Sequence, residues 1–310
     1  MLAQRAFSTA NNGTRVGFIG LGCMGNHMSR NLVSNGYSVK GYDLSADARA
    51  AAAENGVVPV ETIAELAKDV DFIVTCLPET RHIKEVLTME GGVFDSANPG
   101  TWVCDTSTIE PAGAQEFNAE AKKRGHVYLD TPMSGGVTGA RDATLTFMVG
   151  GTEAEFENSK KVLNGMGKNF FHCGGPGTGE VAKIANNLIL GISMIAASEG
   201  MAIGEKLGID PVVLQKILSV STARNWCIDT YNPRPGVLPN VPSANDYAGG
   251  FAVSLIKKDM VLAAKAAKTV GADTTMIDTS HEYYKVLEEN NHGKKDFGYV
   301  FQYIMNNKKI

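Results

Sequence analysis

The sequence predicts an α/β protein, with a doubly wound sheet domain first, an all-α domain second, and one long helix joining them. Three observations predict it. Short apolar runs alternate with helix-like stretches over the first half, a glycine and proline cluster at 174–177 (GGPG) ends the alternation, and the spacing beyond it is helical. The runs 15–20 (RVGFIG), 37–43 (YSVKGYD), 71–78 (DFIVTCLP), 102–107 (WVCDTS) and 126–132 (HVYLDTP) read as strands, and 145–151 (LTFMVGG) follows them. Strands and helices in alternation give a parallel sheet wrapped by helices, and the nearly continuous apolar interiors of DFIVTCL and WVC suit strands buried on both faces. Residues 178–206 then read as one long helix, with further helical spacing at 211–220, 253–269 and 274–290.

Composition agrees. The 310 residues suggest two domains at about 150 residues each. With 44% hydrophobic and 20% charged residues the chain can bury sizeable cores, and its 34 glycines follow no collagen-like period. A balance of 29 basic to 33 acidic residues, net charge −4, argues against nucleic acid as the main partner and for a small molecule. The most apolar stretch, 188–197, is followed by Glu199 and Glu205 and falls short of the roughly 20 residues a bilayer span needs, so no membrane partner is expected. Cys23, Cys76, Cys104, Cys173 and Cys227 are far apart, which offers no paired-cysteine metal or redox site and suits a reducing compartment. No metal is expected.

Residues 1–12 (MLAQRAFSTANN) carry Arg5 with Ser8 and Thr9, and the first acidic residue is Asp43. Residues 1–13 therefore read as a mitochondrial matrix presequence, the alternative being a short disordered tail on a cytoplasmic protein.

The loop Gly20, Leu21, Gly22, Cys23, Met24, Gly25 has the spacing G-x-G-x-x-G, directly after a predicted strand and before a helix. In a dinucleotide site the first glycine permits the turn, the second lets backbone approach a pyrophosphate, and the third lets helix pack on strand. The next strand ends in Asp43, 18 residues past Gly25, where a carboxylate would accept from a ribose 2′-hydroxyl and repel a 2′-phosphate. NAD is thereby favoured over NADP, and residues 14–177 form its Rossmann-type domain. The alternative is a tight turn with Asp43 as a surface acid.

Two lysines stand in apolar helical surroundings. Lys183 lies near the start of the long helix with Asn187 one turn later, and burial at the positive end of a helix dipole should lower its pKa from about 10.4, making it a proton acceptor. A lysine whose head reaches water is the alternative. Lys258 falls in line with Phe251, Leu255 and Leu262 while Lys257 is displaced, so Lys258 should point inward, as a functional group or as a buried pair with Asp259. The turn 130–136 (DTPMSGG) offers the Ser134 hydroxyl and the amides of Gly135 and Gly136 to a carboxylate, or is a plain polar turn.

Together these residues resemble the β-hydroxyacid dehydrogenase family from Arg15 onward. Its pattern combines a G-L-G-x-M-G loop, a D-x-P-V-S-G-G loop, a G-x-G-x-x-x-K-x-x-N-N helix and a late K-D pair, here at 20–25, 130–136, 177–187 and 258–259. The stretches 229–243, 249–251 and 294–297 are similar to its hydroxyisobutyrate branch. The resemblance implies NAD-dependent oxidation of (S)-3-hydroxyisobutyrate to methylmalonate semialdehyde in valine catabolism, with Lys183 as catalytic base and Asn187 as a substrate partner. It further implies that Ser134, Gly135 and Gly136 hold the substrate carboxylate and that Leu77, Pro78, His82, Thr108 and Lys258 line the NAD site. His82, Met133 and Ala143 stand where asparagine, valine and glycine are usual. Alternatives are a related reductase acting on tartronate semialdehyde, glyoxylate or succinic semialdehyde, and a non-catalytic dinucleotide-binding scaffold. Residues 178–310 would form the substrate and oligomerisation domain of a homodimer or homotetramer, because the long apolar helix exceeds what one sheet domain covers.

Overall fold

A computed structural model describes residues 13–307, so the presequence reading of residues 1–13 lies almost wholly outside the described residues. The chain divides into two compact units, Met1–Lys183 and Ile184–Ile310.

The first unit is built on β1 (Arg15–Ile19), β2 (Ser38–Tyr42), β3 (Val58–Pro59), β4 (Phe72–Thr75), β5 (Trp102–Asp105), β6 (Val127–Asp130), β7 (Met133–Ser134), β8 (Leu145–Gly150) and β9 (Gly167–Gly174). Between them run α1 (Cys23–Ser34), α2 (Ala46–Ala53), α3 (Ile63–Ala67), α4 (Thr80–Thr88), α5 (Val93–Ser96), α6 (Pro111–Lys123), α7 (Gly136–Arg141) and α8 (Glu153–Leu163). The strand order is β3-β2-β1-β4-β5-β6-β8-β7, with β9 on β8, and the strands from β3 to β6 pair in parallel. Alternation along each central strand feeds two separate cores. Val16, Phe18, Val74, Cys104 and Leu129 pack on one face, while Ile19, Ile73, Val103 and Tyr128 pack on the other.

The sheet is not wholly parallel as expected. β8 runs antiparallel to β6 and to β7, and residues 135–144 between β7 and β8 are too few for the crossover that a parallel β7–β8 pair would require. The short strands β3 and β7 and the largely exposed β9 carry no apolar run, so periodicity gives no sign of them. Helix starts are set by local chemistry: Ser45 caps α2, Thr62 caps α3, and Thr152 with Glu155 closes a capping box on α8.

The long helix α9 (Thr178–Lys206, 29 residues) starts in the first unit and continues into the second. By length and composition alone it could cross a membrane, contrary to the shorter apolar stretch expected, but 44% of its most apolar window is buried within the chain. It is not covered all round either, since Val181, Ile189 and Ile203 are exposed. The second unit adds α10 (Pro211–Leu218), α11 (Trp226–Asp229), α12 (Val253–Val270), α13 (Thr275–Leu287) and α14 (Val300–Met305). Their core joins Met194, Met201, Cys227, Ile256, Met260, Tyr284, Leu287, Phe297 and Phe301. On α12 the buried residues are Val253, Ile256, Asp259, Met260, Leu262 and Ala263, whereas Leu255 is 39% exposed. The expected line of Lys258 with Phe251, Leu255 and Leu262 therefore holds at Leu262 and fails at Leu255, and Lys258 sits at the edge of the buried face. Lys257 is no free outward cation, because it pairs with Glu288.

Candidate active site

The sheet order reverses between β1 and β4, the place where a doubly wound sheet opens a crevice at its carboxyl ends. Gly20 and Cys76 close on each other there: a Cβ on Gly20, whose φ is +96°, would lie 2.3 Å from the Cys76 carbonyl oxygen. Gly25 is equally constrained, since its Cβ would fall 1.8 Å from the Gly20 carbonyl oxygen, where α1 packs on β1. Gly22 is different. Nothing lies within 4 Å of its Cβ position, and its φ of −66° is open to any residue. The fold itself makes no demand for glycine there. Gly22 is also the N-cap of α1, without a side-chain cap and with no acidic residue in the first turn, so amides of a helix N-terminus face an open cradle. These residues fit a dinucleotide pyrophosphate.

Asp43 closes the other side of the loop. One carboxylate oxygen accepts from the Leu21 amide and the other from the Ser45 amide, both at 2.8 Å. The Arg49 guanidinium next to it donates to the carbonyl oxygens of Asp43 and Leu44 and to Glu61, so a nearby cation is already engaged.

The turns after β4 and β5 are held by a buried carboxylate. Asp105, fully buried, accepts from the Thr75 hydroxyl (2.7 Å), the Ser107 amide (3.0 Å) and the Tyr128 hydroxyl (2.9 Å). Burial pushes its carboxyl above the ordinary range, and these donors pull it back. The Ser107 hydroxyl in turn accepts from the Leu77 amide at 2.9 Å, which joins the two turns carrying Leu77, Pro78 and Thr108. His82 lies in the first turn of α4, and its buried Nδ1 has no hydrogen-bond partner.

Ser134 ends β7, opposite Thr146 of β8, and Gly135 and Gly136 follow with φ of +132° and +60°. The Gly135 backbone requires glycine whether or not a ligand binds, while Gly136 takes a left-handed conformation that glycine adopts without strain. Lys183 is 8% exposed, in a helix α9 whose start is tied to the first unit through Asp130 of β6 and its own Glu180. Asp130 accepts from the amides of Gly177 (2.8 Å) and Glu180 (3.1 Å), and the buried Glu180 accepts from the Ile109 amide (3.1 Å). In the second unit Asn187 is 1% exposed and donates to Asp259, while Lys258 Nζ lies 3.3 Å from the other Asp259 oxygen.

Residues 15–175 match the family described as the NAD binding domain of 6-phosphogluconate dehydrogenase, and residues 177–304 match the NAD-binding domain of NADP-dependent 3-hydroxyisobutyrate dehydrogenase. The chain is 45% identical to a probable mitochondrial 3-hydroxyisobutyrate dehydrogenase of Dictyostelium discoideum, over 98% of this chain and 95% of that protein. It belongs to the 3-hydroxyisobutyrate dehydrogenase family. The human mitochondrial 3-hydroxyisobutyrate dehydrogenase is 43% identical, over 94% of this chain and 87% of its own length. Among solved structures, the Mycobacterium tuberculosis 3-hydroxyisobutyrate dehydrogenase with L-serine aligns with a TM-score of 0.88 at 36% identity, covering 94% of this chain and 99% of that one.

Membership in the 3-hydroxyisobutyrate dehydrogenase family gives the expected positions a common frame. At the sheet's carboxyl ends the Leu21 amide donates to the Asp43 carboxylate and the Leu77 amide to the Ser107 hydroxyl, with Gly20 closing on the Cys76 carbonyl beside them. Asn187 and Lys258 are joined through Asp259 in the second unit. Asp259 is the acid the spacing pairs with Lys258, but two strand-end acids have roles that residue-by-residue reading does not reach: Asp105, and Asp130, which there only opens the 130–136 loop. Both carry a signal, because each is the last residue of an apolar strand, where an acid has no packing reason to stand. Of the departures from the family pattern, Ala143 matters structurally, since its φ is +51°, a left-handed conformation just past α7 that glycine would adopt freely.

Proposed function

We propose that this chain oxidises (S)-3-hydroxyisobutyrate to methylmalonate semialdehyde, with NAD as oxidant and Lys183 as the base. The observation that carries the reading is a lysine only 8% exposed near the start of a 29-residue helix, in a chain that matches named 3-hydroxyisobutyrate dehydrogenases over nearly its whole length. The substrate needs a carboxylate site and a proton acceptor at its hydroxyl. Ser134 Oγ with the Gly135 and Gly136 amides supplies the first, and Lys183 Nζ in its amine form accepts the hydroxyl proton. NAD, when bound, supplies the acceptor for the hydride leaving the same carbon. Holding the carboxylate at one end presents the hydroxyl to the lysine in a single orientation. Asn187, fixed by its bond to Asp259, would orient the substrate from one turn further along α9, and Lys258, His82 and Thr108 would line the cofactor. L-serine, held by the mycobacterial relative, is likewise a carboxylic acid with a hydroxyl on its third carbon.

The test is NADH formation with 3-hydroxyisobutyrate, glycerate, serine and 4-hydroxybutyrate, each with NAD and NADP. A preference for glycerate would move the assignment to a tartronate semialdehyde reductase. Lys183→Ala should lower turnover by roughly 10²–10⁴-fold, as loss of a general base does, with NADH affinity retained; near-normal turnover would remove Lys183 from the mechanism.

The matrix location rests on the composition of residues 1–12 and on relatives named as mitochondrial. An oligomer is supported by the exposed Ile189, Ile203, Val213 and Ile217, and light scattering on the purified chain would test it.

A further inference from the structure

The catalytic helix begins without a cap of its own. Gly177 stands at the cap position with φ +87° and no side chain, yet its amide and that of Glu180 both find an acceptor. In a capping box these two positions are served by two side chains of the helix itself. Here one carboxylate from another element serves both: Asp130, the last residue of β6 and 1% exposed. The surroundings are shaped to admit it. A Cβ on Gly150 would lie 2.4 Å from Asp130 Oδ1, and one on Gly179 would lie 2.8 Å from Oδ2 and 2.4 Å from the Met148 carbonyl oxygen. Burial raises the Asp130 carboxyl while the helix amides lower it.

Two consequences follow from position. Lys183 is three residues past Glu180, so at 1.5 Å per residue it sits only about 4.5 Å along the axis from a tied amide, and a shift of the first turn reaches it undiminished. Asp130 also stands four residues before Ser134, at the root of the loop assigned to the substrate carboxylate. We propose that Asp130 is a positioning residue that sets the place of Lys183 relative to the Ser134 loop by capping the start of α9. The proposal rests on the reading of Lys183 as the base.

The experiment is a double-mutant cycle on the full chain with Asp130→Asn, Lys183→Ala and the pair, reading kcat, KM, NADH affinity and Tm. Thr152→Ala, which removes the cap of α8, serves as a control for loss of stability alone. Asparagine can accept one of the two amides and turns an NH₂ toward the other. A displacement near 1 Å costs about 10²-fold in rate, so D130N should lose about that in kcat, with NADH affinity within twofold and T152A at wild-type kcat. D130N/K183A should be no slower than K183A, because Asp130 acts only through the lysine. Wild-type kcat in D130N beside an inactive K183A, or losses that multiply in the pair, would overturn the proposal. Normal turnover in K183A would instead overturn the assignment of Lys183. If D130N fails to bind NADH or to melt cooperatively, Gly150→Ala decides, since it keeps the carboxylate but pushes it off the Gly177 amide. G150A with wild-type kcat would refute the positioning role, and G150A with a kcat loss at retained NADH affinity would support it.

Discussion

Substituting alanine at Gly22 and at Gly25 separates what the fold needs from what the cofactor needs. In Gly22→Ala the new methyl meets nothing within 4 Å, and the backbone conformation already suits alanine. Losing glycine at an N-cap position costs under about 1 kcal/mol, partly offset by a stiffer unfolded chain, so Tm should move by no more than about 3 °C. The methyl does occupy the cradle in front of the α1 amides. Displacing a pyrophosphate from one or two charge-assisted hydrogen bonds, at about 1.5–3 kcal/mol each, weakens NADH binding by roughly 10- to 10⁴-fold. Gly25→Ala should do the reverse: a Cβ 1.8 Å from the Gly20 carbonyl oxygen forces α1 off β1, and the variant should be poorly folded before binding is in question. NADH fluorescence titration and a thermal melt on each variant read both quantities. If G22A binds NADH as the parent does, the cradle is not the pyrophosphate site; if G22A melts as early as G25A, the distinction between the two glycines is wrong.

Ala143→Gly should stabilise the chain by up to about 1 kcal/mol, because relief of a left-handed alanine (about 1–2 kcal/mol) exceeds the entropy glycine costs, and a raised Tm would show it. Burial pushes the Asp296 carboxyl up to about 6 against amides of Phe251 and Gly298 and the Tyr231 hydroxyl. A raised folded pKa means stability present below the unfolded value near 3.8 and lost as pH rises through 6, about 1.4 kcal/mol between pH 5 and pH 8. Trp226 stacks on Tyr231, so its fluorescence in urea unfolding should report that slope in the parent and its absence in Asp296→Asn. Asp43→Asn should raise the NADP-to-NAD ratio of kcat/KM by about 10- to 100-fold, the worth of one charged hydrogen bond. Adding Glu61→Gln, which releases Arg49 from its carboxylate partner, should raise it further; an unchanged ratio in both variants would remove Asp43 from cofactor choice.

Much of the architecture was written in local pattern. The apolar runs that became β1, β4, β5 and β6 are continuous because both faces of those strands are buried, and α9 begins and ends where its spacing predicts, from Thr178 to Lys206. The glycine loop and Asp43 were legible because strand, turn, helix and acid follow one another within 30 residues. What pattern could not supply was partnership at a distance. On α12 the spacing places Leu262 on the buried face correctly but not Leu255, since Leu255 and Ile256 look equally apolar in sequence and only packing against the rest of the second unit chose Ile256. Asp105 and Asp130 likewise look like strand-end acids until the parallel register sets them side by side at the sheet's carboxyl ends. By itself, then, the sequence determined the longer elements, the glycine loop between β1 and α1, and the apolar setting of Lys183, since each depends on neighbours a few residues away. Only the tertiary structure decided which of the loop glycines the fold requires and which it leaves open, and which carboxylate caps α9. A clash with the Gly20 carbonyl or a bond from Asp130 to Gly177 joins groups whose separation in sequence says nothing of their distance in space.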